Sequence, residues 1–178
     1  MRNRDFLAIL VILIILCLSR VGLTAGMNVL PGRLLITDVP VGRLYEVSVP
    51  LSIINHGGNE QGYLLSTVRL AAIGAKPEMG YIELPDEQWF YFATKTITIK
   101  PNDIGQVKMY INIPDEEEYY NQHWVVGLRA AADSGTQSSF SLALYPIYRI
   151  DTEAKAGVRG AGNMGIAPSV VELTGVRG

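Results

Sequence analysis

The chain has 178 residues, 48% of them hydrophobic and 18% charged, with 18 Gly, 9 Pro, one Cys and a formal net charge of −2. That length suits one domain of about 100–150 residues with short additions, and its abundant Leu, Ile and Val exclude wholesale disorder. The slightly acidic balance speaks against nucleic-acid binding, and no Walker loop, GxGxxG, HExxH or GxSxG is present to suggest a nucleotide or hydrolytic enzyme.

Residues 1–26 open with Met1-Arg2-Asn3-Arg4, continue through an apolar run from Phe6 to Leu18 and leave by Leu23-Thr24-Ala25-Gly26. A basic start, about a dozen apolar residues and a small-residue exit are the parts of a secretory signal peptide. The run is shorter than the roughly 20 residues of a membrane-crossing helix. Cleavage near Gly26 is expected; the alternative is an uncleaved signal anchor, with residues 6–18 as the only membrane contact. Without residues 1–26 the chain loses Arg2, Arg4, Arg20 and Asp5, so the net charge falls to −4, and no cysteine remains. An exported domain without disulfides relies on its core. With no N-x-S/T sequon either, this leans towards a bacterial or archaeal envelope.

From residue 28 to residue 151 the hydrophobic period is two. Arg33–Val39 opens the series. Tyr45, Val47, Val49, Leu51 and Ile53 then alternate with Glu46, Ser48, Pro50 and Ser52, as in a half-buried antiparallel strand. Pro50 cannot donate a ladder hydrogen bond and demands an edge or a bulge, and Asn55–Asn59 makes the turn. Further strands are expected over Gly62–Ala72, Thr96–Lys100, Val107–Ile113, Trp124–Arg129 and Ser139–Ile150. Asp115–Tyr120, after Pro114, is the one expected helical turn, and Trp124 the expected core tryptophan. Seven short strands separated by turn residues predict an all-β fold, a seven-stranded immunoglobulin-like β-sandwich over residues 27–151.

Residues 152–163 have the Gly/Ala content of a linker. Met164 to Val176 can be laid on Met27 to Val39 with Met, Pro, Thr and Val coinciding. Residues 164–178 are therefore expected to be the first strand of a truncated second immunoglobulin-like domain; an ordinary apolar tail is the alternative.

The densest aromatic patch is Trp89-Phe90-Tyr91-Phe92. In a strand these rings alternate between faces, leaving at least two free to stack on a sugar or anchor a protein contact, with Tyr119 and Tyr120 adding to the patch. The competing reading has Trp89 and Tyr91 covering one end of the sandwich. Asp115 to Glu118 are consecutive carboxylates that do not converge on one point and lack the Gly of a calcium loop. Glu83, Asp86 and Glu87 read as loop carboxylates rather than an acid–base pair across a sugar. His56 and His123, the only histidines, do not make a zinc site. No catalytic set, metal or cofactor is expected.

Pro31-Gly-Arg-Leu-Leu-Ile36, Val49-Pro-Leu-Ser-Ile-Ile-Asn55, Ile99-Lys-Pro-Asn102, Met109-Tyr-Ile-Asn-Ile-Pro114 and Trp124-Val-Val-Gly-Leu128 carry a resemblance. The stretch Leu30–Asp151 resembles immunoglobulin-type modules of bacterial envelopes, including pilus-chaperone-like domains and the peptidoglycan-binding domain of WxL-interacting surface proteins. The resemblance implies an exported, non-enzymatic module, periplasmic or at the cell surface, that binds an envelope or surface protein or cell-wall glycan. In pilus chaperones a basic residue on the first strand and another on the last hold a client's terminal carboxylate, and the last strand completes the client's sheet. Arg33 and Arg149 lie on the corresponding strands, and Leu142 and Leu144 alternate before Tyr145-Pro146-Ile147-Tyr148. A pilus-assembly-type chaperone is thus one alternative, and a small carbohydrate-binding domain another. The chain departs from the chaperone pattern in that Pro146 interrupts the donating strand and the second domain stops at its first strand.

Overall fold

The computed structural model describes residues 26–133 and 142–158. The expected export segment up to Ala25, the end of the expected linker, the expected second-domain strand at 164–178 and the start of the last predicted strand lie outside the described residues.

The first strand crosses between layers. β1 (Met27–Leu30) pairs antiparallel with β4 (Leu51–Asn55). Beyond Pro31 and Gly32 the chain becomes β2 (Arg33–Val39), which runs parallel to β13 (Ile147–Thr152) in the other layer. That layer is built in the order β2, β13, β11 (His123–Ala132), β5 (Gln61–Val68), β8 (Thr96–Ile99), with β6 (Ile82–Glu83) and β12 (Ala143–Leu144) also on β11. Opposite lie two three-stranded sheets, β1-β4-β9 with β9 at Ile104–Val107, and β3-β10-β7 with β3 at Leu44–Glu46, β10 at Met109–Asn112 and β7 at Phe90–Phe92. The architecture is an immunoglobulin-like β-sandwich.

Each predicted strand has a counterpart, and the breaks have local causes. The alternation from Tyr45 to Ile53 divides into β3 and β4 at the segment containing Pro50. Glu46 pairs with Tyr110 and Leu51 with Val107, so four residues on one strand face two on the other. That excess is a bulge, and it bends the ribbon so that its halves join different sheets. The strand expected to reach Ala72 ends at Val68; Leu70–Ile73 is a 3-10 turn whose first amide donates to Glu83 Oε1 at 2.7 Å. Gly74 closes that turn in the left-handed region, φ 68°, where an L side chain is strained. The last strand divides into β12 and β13 at Pro146. Glu117–Tyr119 supplies the expected helical turn, as one turn of 3-10 helix. β1, β6, β7 and β9 are additions that a period of two does not assign; of β9 only Val107 falls in an expected strand.

The core follows the alternation. Leu51 and Ile53 from β4, Met109 and Ile111 from β10, and Tyr148 and Ile150 from β13 are all fully buried. β11 is buried on both faces over Trp124–Leu128, which explains its unbroken apolar run. Trp124 is in the core, 1% exposed, with the rings of Trp89 and Tyr119 at 5.6 and 5.8 Å. Among the described residues no helix is long and apolar enough to cross a membrane.

Candidate functional site

Among the described residues, the outer face of the β2–β13–β11 layer carries a group of interacting charges that includes both expected arginines. Along β13, Ile147, Arg149 and Asp151 face outward while Tyr148, Ile150 and Thr152 face the core. The parallel register sets Arg33 opposite Ile147 and Leu35 opposite Arg149, and the antiparallel register sets His123 opposite Asp151. Paired residues share a face of a sheet, so Arg33, Arg149, Asp151 and His123 project from one surface. The connection from Gly74 to Tyr81 lies over that surface.

Both arginines meet one carboxylate. Arg33 Nη1 donates to Glu78 Oε1 at 3.3 Å and Arg149 Nη1 to Glu78 Oε2 at 3.1 Å. The guanidinium of Arg149 also lies 5.5 Å from the centre of the Tyr81 ring, a cation–π distance. Asp151 holds His123 Nδ1 at 2.8 Å, and the Tyr81 ring meets the His123 ring edge-on at 5.7 Å. Burial raises the Tyr81 pKa first, and its hydrogen bond to Asp151 raises it further, so the phenol stays a neutral donor. The pairs on Glu78 are open to solvent, with 79% of the Arg33 side chain exposed. Exposed pairs contribute about 0–1 kcal/mol each. Chemically, two guanidinium groups taking one oxygen each form a receptor for a carboxylate.

Beside this pair the sheet has an edge that is open among the described residues. β2 covers β13 from Ile147 to Thr152, whereas β12 pairs only with β11 among the described residues. Ala132 N donates to Leu142 O at 2.9 Å and Leu128 N to Pro146 O at 2.8 Å, while Ile147 N donates the other way, to Gly32 O at 3.0 Å. Residues 142, 144 and 146 therefore turn their backbone groups to β11, and Ala143 and Tyr145 turn theirs outward. Pro146 interrupts the last strand between Leu144 and Ile147, as expected, and the register says which side is affected. Its missing N–H lies on the β11 side, so the outward edge keeps its donors. Among the described residues nothing pairs with that edge, because the first strand has crossed to the other layer at Pro31. On its inner side Leu142, 39% exposed, borders a cleft of about 190 Å3 with Met27, Tyr63 and Ala132.

The aromatic run is divided by the alternation of β7. Phe90 and Phe92 enter the core, 1% and 8% exposed, and Tyr91 faces outward at 39%. Trp89 packs on the Tyr119 ring at 4.8 Å as well as on Trp124. Tyr119 and Tyr120 are half-buried against the core, and Tyr120 has Lys155 Nζ 4.6 Å from its ring centre. The outward neighbour of Tyr91 is Tyr110, stacked at 5.6 Å and 29°. The sequence puts Tyr110 on the polar side of its strand with no link to the patch, because only the β7–β10 pairing sets that contact.

The acidic loop residues have local partners. Asp86 Oδ1 accepts from Gln88 N at 2.8 Å, and Arg69 bridges Glu83 and Glu87 at 3.5 and 3.1 Å. Asp115 accepts the Tyr120 hydroxyl at 3.4 Å. Among the described residues no three His, Cys, Asp or Glu side chains are grouped to hold a metal.

No family model and no curated protein matches the sequence. The fold is similar to solved structures. The ASH/PapD-like domain of human CEP192 (PapD-like domain 7) superposes with a TM-score of 0.52 at 13% identity, covering 74% of this chain and 88% of that one. The periplasmic chaperone SfaE gives 0.50 at 11% identity, covering 72% of this chain and 59% of SfaE. At these identities the likeness is one of fold, an immunoglobulin-like β-sandwich.

Proposed function

We propose that the chain is an exported, non-enzymatic module of a cell envelope that binds protein by strand addition, taking an extended segment along the Ala143–Tyr145 edge and its terminal carboxylate at Arg33 and Arg149. The supporting observation is the position of the two arginines relative to the open edge. A strand added beside β12 lies in line with β2. If it runs parallel to β13, as β2 does, its C-terminus meets the head of β2, where Arg33 stands. Backbone hydrogen bonds would supply affinity and the arginines would set register. The basic and apolar N-terminal segment supports export, and SfaE, similar in fold, is a periplasmic chaperone.

A short peptide of alternating Val and Thr, as free acid, as C-terminal amide and N-methylated at alternate residues, tests this reading by fluorescence anisotropy. Binding of the acid, weaker binding of the amide and loss with the N-methylated form are expected. Equal binding of all forms, or binding of none, would overturn it.

A further inference from the structure

The carboxylate that occupies the arginine pair belongs to the chain itself. We propose that Glu78 is a built-in competitor: the connection carrying it must release before the C-terminal carboxylate of a bound polypeptide can take Arg33 and Arg149. This rests on the strand-addition reading and adds its regulation.

Glu78 places one oxygen on each arginine, at 3.3 and 3.1 Å, as an incoming carboxylate would. Among the described residues, the connection between Gly74 and Tyr81 is joined to the sheet face by little else. Its backbone hydrogen bonds are local, from Ala75 N to Leu70 O and from Tyr81 N to Glu78 O. Met79, next to Glu78, is 97% exposed and adds no apolar anchor. Gly74 and Gly80, φ 68° and 87°, bracket the segment, and neither would meet another atom within 4 Å if it carried a Cβ. These are points where the backbone can change direction without collision.

The receptor would remain aimed after Glu78 leaves. Arg149 keeps its place over the Tyr81 ring at 5.5 Å. Tyr81 is itself held by Asp151, which also holds His123 at 2.8 Å. Arg33 is 79% exposed and is open to approach. Local charge argues the same way: two arginines and Glu78 leave one positive charge, and removing Glu78 leaves two, with Asp151 shared between Tyr81 and His123. An incoming carboxylate therefore replaces Glu78 without leaving a carboxylate facing another.

A tethered competitor lowers apparent affinity by the fraction of molecules in which it is bound. For two exposed ion pairs that factor is about three to ten. The test compares the free-acid and amide forms of the Val–Thr peptide on the whole chain and on Glu78→Gln and Glu78→Ala, with melting curves to establish that each variant is folded. Both variants should bind the acid about three- to tenfold more tightly and the amide unchanged. Adding Arg149→Ala to Glu78→Gln should abolish the gain. Equal affinity of the parent chain and the Glu78 variants for the acid would overturn the competitor and leave strand addition standing. Weaker binding by the variants would overturn it too, because Glu78 would then be positioning the arginines. Absence of binding to every protein would remove strand addition and the competitor together.

Discussion

Tyr148 on β13 donates its phenol hydrogen to the carbonyl of Pro31 at 3.1 Å, tying the last strand to the point where the first strand changes layers. The side chain is fully buried, and burial pushes its pKa well above the usual phenol value. Tyr148→Phe leaves that carbonyl without the phenol donor and should cost about 1–2 kcal/mol in urea unfolding near neutral pH.

The same burial sets an alkaline limit. The unfolded phenol ionises near pH 10 while the folded one keeps its proton, so the stabilisation is intact below about 10 and is lost as pH rises towards the folded value. Tyr63, raised by burial as well, adds in the same direction. Unfolding free energies should fall as pH rises above about 10, and Tyr148→Phe should flatten that fall. An unchanged slope in the variant would assign the alkaline loss to other groups.

Asn55 fastens two turns. Its Nδ2 donates to the carbonyls of Asn59, Ile99 and Lys100 at 2.8, 3.0 and 3.2 Å, and its Oδ1 accepts from Gly57 N at 2.9 Å. At 2% exposure water cannot replace these bonds. Asn55→Asp turns a carboxylate oxygen towards three carbonyls and should cost about 2 kcal/mol or more at neutral pH. Such a carboxyl has a folded pKa raised above about 3.9, so the penalty should be small below that value and grow as pH rises. Denaturation curves at acid and neutral pH would show it.

The strands are readable because one face of each is buried. Tyr148 and Ile150 alternate with Arg149 and Asp151 in the sequence as they do in the sheet. Pro50 announces the bulge for the same local reason, a missing donor. The candidate site is half readable. Arg33 and Arg149 can be assigned to the first and last strands, but Glu78 lies 45 and 71 residues from them in a connection without periodicity. Nothing local marks it as their partner. Which side of the strand loses its donor at Pro146 depends on the pairing register with β11, and a one-residue slip would reverse it. Tyr110 escapes notice likewise, since its contact with Tyr91 exists only through the β7–β10 register.

Gly127 lies where β11 is paired on both sides. A Cβ there would come within 2.9 Å of the Val68 carbonyl oxygen and 3.1 Å of Val68 Cγ2. Backbone cannot give way as a side-chain end can, so Gly127→Ala should destabilise the fold by about 1–3 kcal/mol. A Cβ added at Gly32 would meet nothing within 4 Å. Gly32→Ala should therefore lie within about 0.5 kcal/mol of the parent chain. Chemical denaturation of the two variants side by side separates close approach from a general effect of replacing glycine.

The aromatic run gives a test between protein and glycan binding. Trp89 packs on Tyr119 and Trp124, so Trp89→Ala should cost about 2 kcal/mol or more of stability and lower binding of any kind indirectly. Tyr91 stands outward in a stack with Tyr110 at 5.6 Å, and Tyr91→Ala should change stability by about 1 kcal/mol at most. Sugar rings bind to exposed aromatic faces, and on this surface Tyr91 and Tyr110 offer them. In a peptidoglycan pull-down the folded Tyr91→Ala and Tyr110→Ala variants should match the parent chain if binding runs through the β12 edge. Loss of retained protein in both, with peptide binding unchanged, would instead place a glycan platform on the β3–β10–β7 sheet.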